Sequence, residues 1–283
     1  MTFQNWQLKR SVERRYGVAI AKLIQGLKTE LEHVDSPFLL AAAIRRYARS
    51  PTFRKAAEIL ARSMATHVFS DGHRTWRQAA RSGAKGRMIY KALMSELGQQ
   101  AVGDLYNDII RRNADLIVTA PDYIARELTA LVSREAQEGL RPEVILKDVW
   151  AKWPEYTRAH AMLIARTESS KASTALTQVR CDVAGIDWYV WRTEEDVRVR
   201  DSHRVMDGVL ISWHDPPSPE ALANEPRTYG NYHAGNIFNC RCYPQPLIMF
   251  SDISWPHKVY YGGRIQYMTL AQFKQIGGAA AVA

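Results

Sequence analysis

The sequence predicts an α+β protein, with a helical N-terminal region followed by a small α+β module of short antiparallel strands and long loops. Three observations carry this expectation. From Phe3 to about Trp150 the residues read as helices with helix-type punctuation. Beyond Gly185 short aromatic and β-branched runs replace that pattern. Residues 215–239 are rich in Pro, Gly and Asn, the composition of loops.

The helical starts and stops can be read in order. Ser36-Pro37 and Ser50-Pro51 each offer an N-cap followed by proline in the first turn, where its missing N–H costs nothing. Ile124, Leu128, Leu131 and Val132 recur at helical spacing and predict a helix over residues 122–138, with Gly139 as its stop and Arg141-Pro142 as the restart. Residues 156–184 predict another long helix, with Ala161, Ala165, Ala172, Leu176, Val179 and Val183 along a face and Gly185 as its cap. Asp187–Arg192 and Val209–Trp213 read as strands. A boundary is expected near residues 139–156, where prolines stand at 142 and 154.

Composition excludes several classes. Of 283 residues, 46% are apolar and 24% charged, which fits a folded globular chain and not a disordered or collagenous one. No run approaches the roughly 18 apolar residues of a spanning helix, so no membrane is expected as a partner. The N-terminus lacks the basic start, apolar stretch and small-residue site of a signal peptide. Three cysteines, two of them separated by one residue, make a poor disulfide framework and suit a reducing compartment.

Charge is unevenly spread. Residues 1–91 hold 18 Lys/Arg against 6 Asp/Glu, a net +12, while the remainder is net −3. Arg45, Arg46, Arg49, Arg54, Lys55, Arg74, Arg77, Arg81, Lys85 and Arg87 are the candidate contacts to DNA, because clustered cations displace counterions from a phosphate backbone without reading its sequence. An acidic protein surface, or a merely solvated helix face, stands as the alternative.

The densest set of reactive side chains runs from Arg166 to Cys242. Arg166, Thr167 and Glu168 are consecutive on a predicted helix, so they point apart and need partners elsewhere; a helix surface with one buried ion pair is the plain reading. If residues 196–200 are extended, Asp196, Arg198 and Arg200 share a side. Asp207-Gly208 signals a turn before the second strand. Glu194-Glu195-Asp196 reads as a solvated loop.

His203, His233, Cys240 and Cys242 are thiolate and imidazole donors of the kind structural zinc prefers. The Cys-X-Cys spacing demands a bend, since in a strand the two sulfurs would face opposite ways. The competing reading makes both cysteines small buried residues and both histidines local hydrogen-bonding groups. A cysteine nucleophile served by one of these histidines is a third reading, which spacing alone does not support. Phosphate-loop, dinucleotide and HExxH patterns are absent from the sequence.

Taken together, Ala165-Arg166-Thr167-Glu168, Gly185-Ile186 ahead of a tryptophan strand, Asp196-Val-Arg-Val-Arg200-Asp-Ser-His203, Asp207-Gly208 and Phe238-Asn239-Cys240-Arg241-Cys242 resemble the Mu-F-type phage head-morphogenesis family over about residues 120–248. The resemblance implies a minor capsid protein of a tailed bacteriophage or prophage, located in the virion and, during assembly, in the host cytoplasm. It would associate with the portal protein, with the major capsid or scaffolding protein as further candidates, and act in procapsid assembly, packaging or ejection. On this reading the chain divides into a basic helical region (1–120), a head-morphogenesis domain (121–250) and a C-terminal extension with a mobile tail (251–283). Arg166, Thr167, Glu168, Asp196, Arg198, Arg200, His203, Asp207, Gly208, Asn239 and Arg241 would form a structural polar network, with no catalytic residue and no cofactor beyond a candidate zinc. The alternative is a metal-dependent or cysteine/histidine enzyme acting on nucleic acid or peptide.

Overall fold

The computed structural model describes residues 6–82, 86, 89–90, 93 and 100–278. Among the described residues five long helices come first: α1 Arg10–Leu31, α2 Pro37–Ala48, α3 Pro51–Ser82, α4 Gln100–Gln137 and α5 Pro142–Val183. A mixed sheet and short helices follow: β1 Trp188–Arg192, α6 Asp201–Met206, β2 Leu210–Ser212, α7 Pro219–Leu222, β3 Tyr243–Pro246, β4 His257–Tyr261, β5 Arg264–Met268 and α8 Leu270–Phe273. The α+β expectation holds.

Helix ends follow local chemistry. Ser50 caps α3 through Oγ, which accepts from Phe53 N–H at 3.2 Å. Gly139, at φ +81°, ends α4: its own N–H bonds Ala136 O at 3.1 Å and Leu140 N–H bonds Glu135 O at 3.1 Å. Gly185, at φ +61°, repeats the device on α5, with Ile186 N–H on Cys181 O at 2.9 Å. Both glycines take the left-handed conformation that satisfies the last carbonyls. Pro154 does not stop α5 as its place in the predicted boundary suggests. A mid-helix proline costs about 3 kcal/mol, and burial of Val149, Trp153, Ala161 and Ala165 along the same helix offsets it.

The chain forms two compact units that do not follow chain order. One comprises residues 10–67 and 106–169 and is wholly helical. Its α1 buries Val12, Tyr16, Ile20, Ile24, Leu27 and Leu31, a stripe at three- and four-residue spacing. Gly17 permits close approach to α5, since a Cβ there would stand 3.3 Å from that of Ala165.

The other unit comprises residues 1–9, 68–105 and 170–283 and contains the sheet, in the order β3-β1-β2-β4-β5. Each face of β1 has its own core: Tyr189 and Trp191 join one cluster, Trp188 and Val190 the other. A strand buried on both faces reads as the unbroken run Trp-Tyr-Val-Trp. Each ring removes on the order of 200 Å² from water, worth about 5 kcal/mol. Pro244 and Pro246 sit on β3, which pairs only with β1 and so needs no outward donors.

Two features depart from the expected antiparallel strands and C-terminal extension. The β2–β4 junction is parallel, resting on Leu210 opposite Val259. β4 and β5 add an antiparallel hairpin to the sheet, closed by Gly262 and Gly263 at φ +60° and +77°. Two consecutive positive-φ residues match the twist of a tight hairpin.

Candidate functional site

Strand register assembles the polar site. β1 and β3 pair with Arg192 opposite Tyr243. Extending that antiparallel register one and two residues beyond the strand ends sets Cys242 near Thr193 and Arg241 across from Glu194. The guanidinium of Arg241 accordingly lies 3.0 Å from Glu194 and also grips Asp196, with Nη2 donating to Oδ1 at 2.7 Å and Nη1 to Oδ2. That grip holds the Asp196 carboxyl down at about 2 and pushes the Arg241 pKa up. Glu194 is largely buried, so residues 194–196 are not the solvated loop that three adjacent carboxylates suggest; only Glu195, at φ +54°, stays outward.

Nor are residues 196–200 extended. A turn at Val197-Arg198 breaks the alternation, and Asp196 Oδ1 accepts the Arg198 N–H at 3.0 Å. Arg198 points its guanidinium outward, 3.9 Å from Asp196, whereas Arg200 turns to the Phe238 carbonyl at 3.0 Å and stacks on its ring at 4.5 Å. Asp207 accepts from Thr193 N–H at 2.8 Å and from its hydroxyl at 3.1 Å. Gly208 takes φ +76° and its N–H bonds Trp191 O at 2.9 Å, completing the turn into β2.

Behind this clasp lies a buried group of sulfur and nitrogen. Asn239, at φ +57°, lies in the turn Phe238–Asn239 that leads into Cys240, and the chain stays irregular until β3. His203, on α6, directs Nδ1 at both sulfurs, 3.3 Å from Cys242 and 3.6 Å from Cys240. The three ligand atoms lie within 4.8 Å of one another and all three residues are buried. Cys242 N–H donates to Cys240 Sγ at 3.4 Å. The thiols are unequal. Cys242, and then His203, hold the Cys240 pKa well below the usual thiol value, while the bond to Cys240 and burial push Cys242 well above it.

The other face of the imidazole is also occupied. His203 Nε2 lies 3.0 Å from the Tyr232 hydroxyl, which donates to Glu220, a carboxylate with no exposed surface. Burial, then Glu220, push the Tyr232 pKa up and keep its proton in place. Neither Glu220 nor Tyr232 is among the residues singled out in the sequence. Glu220 falls in the Pro/Gly/Asn-rich stretch, on α7, whose Ser218-Pro219 start is the one local signal of order there. His233 does not join the thiols: its Nδ1 lies 3.2 Å from Tyr189 Oη, its ring packs on Trp213, and burial lowers its pKa to about 4.

Arg166, Thr167 and Glu168 belong to the helical unit, apart from the set 194–242 assigned to the sheet unit. Arg166 pairs with Glu13 at 3.0 Å, and the buried Glu168 with Arg112 at 3.1 Å. Thr167 is buried on the same helix. Two ion pairs therefore replace the single one anticipated.

The basic candidates divide as well. Arg45, Arg46, Arg49, Arg54 and Lys55 lie in the helical unit, and Arg74, Arg77 and Arg81 in the sheet unit; Lys85 and Arg87 are outside the described residues. Arg45, Arg54 and Arg74 have carboxylate partners in Asp122, Asp115 and Asp71 at 3.3, 3.1 and 3.6 Å. Of the described candidates, all except Arg45, which is half-buried, are exposed.

The segment that carries the clasp and the sulfur group coincides with a known family. The family described as Phage Mu protein F like protein matches residues 103–244, half of the chain. The chain belongs to this family. An uncharacterised protein of Haemophilus influenzae is 39% identical over 92 residues, covering 32% of this chain and 18% of that protein. The chain thus aligns with less than a fifth of that relative's length. No solved structure matches. The Mu-F-like segment takes in Arg166–Glu168, the Arg241 clasp and the His203–Cys240–Cys242 group, whereas α1, α2 and α3 precede it.

Proposed function

We propose that this Mu-F-like chain is a minor head protein of a tailed phage or prophage, a virion component that associates with the portal and contacts double-stranded DNA without sequence preference during procapsid assembly, packaging or ejection. The observation that carries the reading is the family match across residues 103–244. The charge distribution supports the DNA half: residues 1–91 are net +12, and Arg46 on α2, Arg49 just after it, and Lys55, Arg77 and Arg81 on α3 are exposed. The Arg54–Asp115 pair joins two exposed side chains and is worth little, so phosphate can compete for Arg54, whereas Arg74, itself exposed, is paired with the buried Asp71. Among the described residues no helix is long and apolar enough to cross a membrane.

We assign the clasp a bracing and not a catalytic role. Cys240 and Cys242 are 3% and 4% exposed, and a nucleophile so enclosed reaches substrate poorly. The second reading, a thiol–imidazole enzyme acting on nucleic acid or peptide, is favoured by the depressed Cys240 pKa beside His203. Nuclease or protease turnover by the purified chain, abolished in a folded His203→Ala variant, would establish it.

Co-expression with the portal protein of the same phage or prophage, followed by pull-down, tests the assembly role: a stable complex is expected, and none would refute it. Filter binding to duplex of arbitrary sequence tests the DNA role on the full chain. Affinity should fall linearly with salt on a log–log scale, and Arg46→Ala/Arg49→Ala/Lys55→Ala should make that slope shallower by about 0.9 for each phosphate no longer neutralised. No binding at low salt would remove DNA from the reading and leave the portal association standing.

A further inference from the structure

We propose that His203 Nδ1, Cys240 Sγ and Cys242 Sγ are three ligands of a tetrahedral zinc ion, with the fourth position taken by a water from the small surface opening that these residues line with Arg198, Arg200, Asn239 and Arg241. The inference does not depend on the head role.

The spacing of the donors is the first ground. Zinc–sulfur and zinc–nitrogen bonds of about 2.3 and 2.0 Å at a tetrahedral angle place a nitrogen and a sulfur ligand roughly 3.5 Å apart. The two separations here are 3.3 and 3.6 Å. The turn at Asn239 and the irregular stretch after it remove the objection to a Cys-X-Cys pair, since both sulfurs now approach the same nitrogen. The Cys242 N–H on Cys240 Sγ is a donor of the kind that stabilises a thiolate ligand.

The imidazole tautomer is the second ground. Tyr232 donates its hydroxyl proton to Glu220, so its oxygen is left to accept from His203 Nε2–H. A neutral imidazole protonated at Nε2 presents a lone pair at Nδ1, on the side where the two sulfurs lie. Glu220, Tyr232 and His203 thus form the outer-shell chain that orients a metal-bound histidine. Charge balance is the third. Zinc binding would displace the two thiol protons to solvent, and two thiolates with Zn²⁺ sum to zero in an environment where Cys240 and Cys242 are nearly inaccessible. Sulfur ligands also select zinc over magnesium or calcium. Among the described residues no fourth His, Cys, Asp or Glu joins the group, which leaves one coordination position for water.

The test is the metal content of the full-length chain purified under reducing conditions. One zinc per chain is expected. Cys181→Ser and His233→Ala, which alter a thiol and an imidazole outside the group, should retain it; Cys240→Ser, Cys242→Ser and His203→Ala should each lower occupancy at least tenfold. Should those three variants fail to fold, the wild-type chain decides: stripped by chelator and titrated with Co²⁺, it should gain the thiolate-to-metal charge-transfer absorption of a tetrahedral Cys₂His site. Zinc should then displace cobalt and protect two of the three thiols from alkylation. A chain that is metal-free as purified and takes up neither Zn²⁺ nor Co²⁺ under reducing conditions overturns the proposal, as does metal retained at full occupancy by folded Cys240→Ser and Cys242→Ser.

Discussion

Arg241 holds Asp196 through both of its terminal nitrogens, one to each carboxylate oxygen. A planar guanidinium and a carboxylate fit each other in this way, and an ammonium does not. The bond ties the loop after β1 to the segment before β3, the two pieces of chain that enclose His203, Cys240 and Cys242.

The clasp predicts a measurable titration. Asp196 ionises at about 2 instead of its ordinary 3.8, chiefly because of Arg241. Its folded-state pKa is depressed, so its contribution to stability is complete above 3.8 and disappears as pH falls toward 2. In Arg241→Gln the carboxyl resonance of Asp196 should titrate close to 3.8, and Arg241→Lys should restore only part of the shift. An unchanged titration in Arg241→Gln would assign the depression to another group.

His233 should stay neutral far into the acid range. Burial lowers it from 6.5 to about 4, so the unfolded chain takes up this proton before the folded one does. Stability is full above 6.5 and declines as pH drops toward 4. His160 and His257 are lowered by burial too, so the overall acid profile sums several groups. Residue-resolved imidazole NMR isolates His233; a midpoint near 6.5 would contradict its placement against Tyr189 and Trp213.

Gly235→Ala should destabilise the protein by at least about 2 kcal/mol, read by denaturant unfolding. Gly235 takes φ +86°, and a Cβ there would meet Thr174 Oγ1 at 2.5 Å and the Cys242 carbonyl at 3.0 Å. Neighbouring Ala234 is held by the Thr174 hydroxyl, which donates to its carbonyl at 2.7 Å. The backbone therefore has little room to yield. A loss under 0.5 kcal/mol, roughly the size of an ordinary surface substitution, would show this packing to be looser than described.

Tyr232→Phe should cost roughly 2–3 kcal/mol, the usual effect of removing one partner from a buried polar pair. Glu220 has no exposed surface, and its second oxygen has no hydrogen-bond partner among the described residues. Pairing the change with Glu220→Leu should recover part of the loss, because it removes the stranded carboxylate although His203 Nε2 still lacks the Tyr232 hydroxyl. Strict additivity in that double-mutant cycle would mean that the two residues do not interact.

Much of the fold was legible because its signals are local. Gly139, Gly185 and Gly208 all take the positive φ read from their contexts, and β1 and β2 lie within the runs 187–192 and 209–213. A capping glycine needs only its own turn to explain it. The β4–β5 hairpin carries a comparable signal in Gly262-Gly263, although residues 251–283 read as an extension. The site was legible as a set of residue types and illegible as a geometry. His203, Cys240 and Cys242 stood out as donors, but so did His233, which lies with Tyr189 and Trp213 instead.

The sequence alone determined the helical N-terminal region, the runs that form β1 and β2, the glycine stops, the basic N-terminal third and the family, because each depends on residues close in the chain or on a pattern along it. The tertiary structure decided which polar groups meet. Arg241 reaches Glu194 because β3 pairs with β1 in one register out of several, and a shift of one residue would turn every side chain of β3 to the opposite face. Glu220 and Tyr232 reach His203 because α6, α7 and the segment after α7 bury their polar ends together. Such meetings are set by contacts between residues far apart in the chain, for which no local spacing carries a record.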